Sequence, residues 1–358
     1  MKVGIVGLPN AGKSTLFNAL TRGGAETGDY PFTTIDPNVA VVPVPDERLE
    51  RVAETIGSSE VVLETIEFHD IAGLVRGASE GEGLGNRFLA AIRETDAICH
   101  VVRAHSTGGV PHPEGRIDPG DDIELIELEL LAADLEQARR RLERVTKQAR
   151  SLDKAAVAER DWLEAVVAAL EDGHPAREVP APAEAADAPR LLQALTSKPI
   201  LYVANVDEGS DEVPDAVASH AQGAGATAVS VSARIESELA EIGDPSEAGE
   251  LRAELGISES GLDRVIHAAF SLLHLITFFT AGEDKEAMAR NVRRGSTAWE
   301  AAGKVHGDIQ AGFIRAEVVA WNDLVDAGGY AGARERGKLR LEGRDYVMVD
   351  GDVMTVKV

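Results

Sequence analysis

The 358-residue chain holds one cysteine, Cys99, so no intramolecular disulfide can form and a small disulfide-stapled secreted scaffold is excluded. A reducing compartment fits. Aromatic residues make up only 4%, but hydrophobic residues reach 44%, which excludes disorder as the dominant state; the length allows roughly two or three domains. Long apolar runs are also missing. The stretch from Ala268 to Ala281 carries His274 in its middle and falls short of the roughly 20 residues that a spanning helix needs. Met1-Lys2 leads straight into the apolar Val3–Leu8, without the charged start, long apolar centre and cleavage site of an export signal. The expectation is a soluble, cytoplasmic protein with no membrane association.

Basic charge is scarce as well. Against 61 Asp and Glu there are 36 Lys and Arg, a net charge of −25 that would repel a nucleic-acid backbone if it were spread evenly. It is not. From Leu275 onward 12 basic residues face 13 acidic ones, whereas residues 1–274 hold 24 and 48. The acid reads as a solvated surface, and the C-terminal quarter as the region able to approach phosphates.

What is present begins with organisation. The apolar runs Lys2–Val6, Val39–Val44, Thr65–Ile71, Ala97–Val102, Ile200–Asn205 and Ala228–Val231 alternate with several helix-like segments, the pattern of a largely parallel sheet covered on both faces. Between the fourth and fifth runs, Leu128, Leu131, Leu135, Ala138, Leu142, Val145, Ala149 and Leu152 repeat at alternate spacings of three and four, a single helical seam. A second helical stretch with Trp162, Val166 and Ala169 follows, and the Pro- and Ala-rich piece from Pro175 to Pro189 ends it. This predicts an inserted antiparallel helical hairpin whose seam closes on itself. From about Leu275 short β-rich runs separated by glycine (Phe313–Trp321, Gly337–Leu341, Tyr346–Val349, Val353–Val358) predict a small α+β module.

The strongest chemical signal is Gly7-Leu8-Pro9-Asn10-Ala11-Gly12-Lys13-Ser14, a G-x-x-x-x-G-K-S run between a predicted strand and a predicted helix. That context matters because loop amides and a helix N-terminus must converge on phosphates. Asn10, Ala11, Gly12, Lys13, Ser14 and Thr15 are therefore candidate nucleotide contacts, with Lys13 neutralising β- and γ-oxygens and the Ser14 hydroxyl binding Mg²⁺. Asp70-Ile71-Ala72-Gly73 has the D-x-x-G form, which places the Asp70 carboxylate near the metal and the Gly73 amide at the γ-phosphate. Between the two motifs, one of Thr33 and Thr34 could complete the metal shell. Leu74 follows Gly73, and an aliphatic side chain cannot orient an attacking water. His112, in the Gly108–Pro119 segment, is a candidate for that task; His100 and His105 are weaker ones.

Base choice falls on Asn205-Val206-Asp207-Glu208, where a guanine-selective site carries Asn-Lys-x-Asp. Asn205 can address the purine's N7 side, but Val206 replaces the lysine and Glu208 the shorter carboxylate that accepts from guanine. Adenine offers no donor there, so rejection of ATP weakens. Ser232-Ala233 fits the loop that closes over the base.

Together these residues resemble the YchF/Obg-like ATPase family, within the Obg branch of translation-factor-type P-loop proteins. Gly7–Ser14, Pro31–Asn38, Asp70–Val75, Gly77–Asn86, Arg93-Glu94-Thr95 and Asn205–Glu208 match its motifs in order, and the resemblance covers essentially the whole chain. It implies an α/β fold, with a Ras-like P-loop NTPase domain over residues 1–127 and 197–274, an inserted α-helical hairpin over 128–196 and a C-terminal β-grasp TGS domain over 275–358. It favours Thr34 over Thr33 and places the catalytic histidine at His112, although Pro111 and Pro113 flank it where relatives carry other residues. It implies Mg²⁺, ATP preferred over GTP, and ribosome or RNA as partner through the TGS and helical domains; Asn10 corresponds to a residue associated with K⁺ activation in some related proteins, which leaves a K⁺ requirement open here. The basic residues Arg290, Arg293, Arg294, Arg334, Arg336, Lys338, Arg340 and Arg344 suit that contact. Two other readings remain open at this point: a nucleotide-gated scaffold with incidental hydrolysis, and an ordinary GTP-specific switch.

Overall fold

The computed structural model describes residues 1–25, 38–71, 84–106, 115–150, 153–242, 244–257 and 259–358. The chain starts with β1 (Lys2–Val6), α1 (Lys13–Ala25), β2 (Val39–Pro43), α2 (Glu47–Ile56), β3 (Glu60–Val62) and β4 (Thr65–Asp70). Then come α3 (Leu84–Arg93), β5 (Ala97–Arg103), the long helices α4 (Pro119–Ala149) and α5 (Lys154–Glu171), β6 (Ile200–Asn205) and β7 (Thr227–Val231). The last strands are β8 (Leu275–Thr280), β9 (Glu286–Arg293), β10 (Arg315–Ala320), β11 (Arg340–Glu342) and β12 (Asp352–Lys357).

The first sheet has the order β2-β4-β1-β5-β6-β7, and β1, β4, β5, β6 and β7 pair in parallel. Every residue of β5 and β6 is buried, as near-continuous apolar strands covered on both faces must be. Successive strands are added on opposite sides of β1, so a crevice opens at the carboxyl ends there, where α/β folds hold their ligands.

Helix α4 starts at a cap, with the Asp118 carboxylate accepting from the Asp121 amide at 3.2 Å and Pro119 in the first turn. Its early residues Ile123, Ile126, Leu130 and Ala133 pack into the core of the first sheet with Val102 and Tyr202. Farther along, Ala138 and Val145 pack with Trp162, Leu163, Val166 and Leu170 of α5. The hairpin seam thus closes on itself. Its start differs from the sequence expectation: Leu128 is 60% exposed, because α4 begins earlier and its proximal face covers the sheet. No break occurs at residue 128 either, and the hairpin clusters with the first sheet in one compact unit formed by Met1–Val42 and Glu67–Ala269. Leu152 lies outside the described residues.

The second unit joins Phe270–Val358 to Pro43–Ile66, a segment that the sequence assigned to the nucleotide-binding domain. The correction has a packing cause. Leu49, Val52 and Ala53 of α2 are buried against Phe279, Val319, Leu324 and Val353, and β3 pairs in parallel with β9, Glu60 opposite Glu286. The resulting sheet runs β11-β10-β12-β8-β9-β3. Its β8–β9 hairpin, its parallel β12–β8 pair and the helix Ala298–Val305, whose Ala298, Ala301 and Ala302 pack on Phe278, Phe313 and Val318, give a β-grasp arrangement. That helix begins with a capping box formed by Thr297 and Glu300. Tyr346–Val349, expected as a strand, forms only an isolated bridge between Val347 and Thr297. Several basic residues of this unit are neutralised at home: Arg334 pairs with Glu317 at 3.0 Å, Lys338 with Asp323 at 3.1 Å and Arg340 with Glu342 at 3.5 Å.

Candidate functional site

Strand β1 ends at Val6, and Gly7 to Gly12 turn the chain into α1. Three positions in this turn need unusual backbone, the first being Gly7 at φ 153, where a Cβ would lie 2.3 Å from the Val101 carbonyl oxygen. Asn10 adopts φ 64, a left-handed conformation that Asn tolerates better than most residues. Gly12 adopts φ 99, and a Cβ there would lie 2.1 Å from Nδ2 of Asn205, so no side chain fits.

Asn205 explains that crowding. It sits buried at the end of β6, where its Nδ2 donates to the Ala11 carbonyl at 3.0 Å and its Oδ1 accepts from the Ala233 amide at 3.1 Å. One side chain therefore ties the Gly-rich turn to the loop after β7. Both of its polar groups already bond the protein, which makes Asn205 a positioning residue for two loops in addition to a residue lining the pocket.

Lys13 is buried, and its Nζ donates to the Leu8 carbonyl at 2.8 Å across the turn. Burial pushes its pKa down and the Asp70 carboxylate partly restores it. An anion arriving at the turn would favour the charged ammonium further. Because β1 and β4 are parallel neighbours, with Ile5 opposite Asp70, their ends bring Ser14 Oγ within 3.3 Å of Asp70 Oδ2. A hydroxyl and a carboxylate side by side are hard oxygen donors suited to Mg²⁺, which binds through few protein groups and completes its shell with phosphate and water. Among the described residues no group of three or more His, Cys, Asp or Glu side chains could cage a metal alone. The residues present fit a metal shared with a ligand. Thr34, Gly73 and His112 lie outside the described residues, as does Leu74.

Beside the turn lies a cavity of about 320 Å³ lined by Asn10, Gly12, Thr15, Asn205, Val206, Glu208, Ser232 and Ala233, all expected from the sequence. His105, Asp207 and Arg234 line it too. Asp207 Oδ2 accepts from the Ser106 amide at 3.0 Å and its hydroxyl at 3.2 Å, which joins the loop after β6 to the one after β5. Val206 is buried in the core of the first sheet, so the position that guanine-selective proteins give to lysine serves here as an apolar anchor. Arg234, just inside the helix Ala233–Leu239, pairs with Glu208 and reaches Glu238 at 3.4 Å. The sequence reading missed it, since a charged residue in a short helix reads as solvated surface; its place next to Ser232-Ala233 was the available signal.

Two other groups are inert. His100, inside β5, is fully buried with its ring 5.7 Å from that of Tyr202, and burial, His220 and Lys13 push its pKa down to about 3. Burial pushes the Cys99 thiol up to about 12, far from a reactive thiolate.

Comparison with known proteins matches this layout. Residues 2–150 match the family model of the 50S ribosome-binding GTPase, and residues 275–358 match the model of the YchF GTPase C-terminal region, described as a protein of unknown function. The ribosome-binding ATPase YchF of Bacillus subtilis (strain 168) is 52% identical, covering 99% of this chain and 98% of that protein. Its counterpart in Escherichia coli O157:H7 is 49% identical over the same shares. The solved structure of the Schizosaccharomyces pombe YchF GTPase is 35% identical, superimposes with a TM-score of 0.88 and covers 100% of this chain and 97% of that one.

Proposed function

The chain belongs to the YchF family, and on that premise we propose that it is a Mg²⁺-dependent nucleoside triphosphatase of the Obg branch that hydrolyses ATP in preference to GTP as a cytoplasmic, ribosome-associated factor. The observation that carries this reading is the meeting of three loops at one crevice: the Gly7–Ser14 turn, the end of β4 at Asp70 and the end of β6 at Asn205, clamped by the Asn205 amide.

Each residue has a separate task. Amides of the turn and the first residues of α1 bind the phosphates, and the Lys13 ammonium moves from the Leu8 carbonyl to the β- and γ-oxygens. Mg²⁺, held by Ser14 and Thr34 with Asp70 acting through water, would supply fixed positive charge to the same oxygens. The Gly73 amide meets the γ-phosphate, and His112 orients the water, which Leu74 cannot do. Catalysis of this kind is positioning plus charge neutralisation. A K⁺ requirement, if tested by exchanging K⁺ for Na⁺, would act beside Asn10.

The ribosome as partner is supported by the names of the relatives, and RNA contact through the C-terminal unit by its nearly balanced charge in an acidic protein. The pairing of Arg334, Lys338 and Arg340 with local acids limits how much of that unit's positive charge reaches a phosphate backbone.

Lys13→Ala tests the site: ATP affinity falls by about 100-fold, about 2.7 kcal/mol, and hydrolysis is lost. Unaltered ATP affinity would refute the assignment. Single-turnover hydrolysis with and without ribosomes tests the role, because a scaffold with incidental hydrolysis shows no stimulated rate. Competition between ATP and GTP tests the base.

A further inference from the structure

The base end of the cavity holds an ion pair that the motif pattern does not contain. Glu208 occupies the position from which a guanine-selective site would extend a short carboxylate, and Arg234 holds that carboxylate from across the pocket. Arg234 is itself braced by Glu238, with its Nε 3.4 Å from Glu238 Oε1, one turn along the helix Ala233–Leu239. The guanidinium thus lies between two carboxylates, Glu208 on the loop after β6 and Glu238 on its own helix. Both loops are fixed from behind: Asn205 ties the Ala233 amide to the Gly-rich turn, and the Val206 amide donates to the Val231 carbonyl at 2.9 Å.

We propose that Arg234 is a specificity-determining residue, acting by occupying the Glu208 carboxylate so that it cannot accept from guanine. This rests on the reading of the cavity as the purine site. Guanine presents an N1–H and an exocyclic amine on one edge, two donors that need a free, negatively charged acceptor. Adenine presents an acceptor at N1 and no donor at C2, so it asks nothing of Glu208. When the carboxylate is neutralised by Arg234, binding guanine requires breaking the ion pair, whereas binding adenine does not. The pair is partly exposed, with side chains 62% and 44% accessible, so in open solvent it is weak. A base seated over it excludes water and strengthens the competition. The effect is therefore on the ratio of the two affinities, and it is a matter of several-fold.

The experiment measures ATP and GTP dissociation constants side by side for the full-length wild type, Arg234→Ala, Arg234→Lys, Glu208→Ala and the Arg234→Ala/Glu208→Ala double variant. Arg234→Ala moves the ATP-to-GTP affinity ratio toward GTP by about fivefold or more, because Glu208 is released. Arg234→Lys keeps a cation beside Glu208 and stays within about twofold of the wild-type ratio. In the Glu208→Ala background the Arg234→Ala change has no further effect on the ratio. A ratio unchanged by Arg234→Ala while both nucleotides still bind overturns this inference alone, and an equal shift in the Glu208→Ala background shows that Arg234 acts directly on the base. If the wild type binds neither nucleotide, the purine-site reading itself fails.

Discussion

In the first sheet β1, β4, β5, β6 and β7 all pair in parallel, and the residues of chemical interest gather where β1, β4 and β6 end: Lys13 and Ser14, Asp70, Asn205. The second sheet mixes parallel and antiparallel pairs and takes β3 from a segment far upstream of its other strands, and polar groups there pair with one another, as Arg340, Tyr346 and Asp352 do. The contrast separates two ways a sequence specifies structure. A parallel α/β sheet sends its strand ends to one edge, so a functional site follows from topology. A mixed sheet completed by a distant segment depends on packing, with Leu49 and Val52 of α2 sealing what the C-terminal residues leave open.

The sharpest test of that contrast is Leu49→Ala, which removes a fully buried side chain from the second core. A cost of about 2–5 kcal/mol is expected. Amide exchange should quicken in peptides from β8, β10 and β12 while β5 and β6 keep their protection; loss of protection in the first sheet instead would break the division into two units. Gly12→Ala comes next. With φ 99 and Asn205 2.1 Å from the new Cβ, the turn must move, and ATP affinity should fall by about 30-fold or more, some 2 kcal/mol, with the second unit's thermal transition unchanged. Calorimetric titration and a melting curve on the same sample read both.

Acid separates the units by a smaller margin. His100 is held neutral, its pKa lowered from 6.5 to about 3, so the stability it contributes is complete above the unfolded value and is lost as pH falls through the window from 6.5 to 3. At about 1.4 kcal/mol per unit of pH, roughly 2 kcal/mol leaves the first unit between pH 7 and pH 5. In the second unit Asp352 runs the other way, its pKa raised chiefly by burial, so protonating it on acidification does not weaken that core. Denaturant midpoints measured from pH 7 to pH 5 should fall less steeply in His100→Leu than in the wild type, and equal slopes would remove His100 from the account.

Much of the first unit was legible in the sequence because its demands are made on the backbone. Gly7 to Ser14 must bend in one way, and six apolar runs had to be strands. The seam Ala138 to Ala149 also announced its partner, although its proximal end did not: the period of α4 is continuous where its partner changes from sheet to helix, and periodicity reports a buried face without naming what covers it. The assignment of Pro43–Ile66 was invisible for a similar reason. Glu60–Val62 is too short to show alternation, and nothing local in Glu47–Ile56 says which core its apolar face will join. In the site, Asn205 and Glu208 were legible by position, whereas the clamp made by Asn205 and the hold of Arg234 on Glu208 exist only once β6 and β7 lie side by side.

The most direct measurement is amide exchange of the full-length protein with and without MgATP. Protection should rise at residues 7–16, at the end of β4 and at residues 205–208 and 231–234, and the Lys13→Ala variant should show none of it. Unchanged exchange at the Gly7–Ser14 turn, or protection confined to the second sheet, would contradict the account.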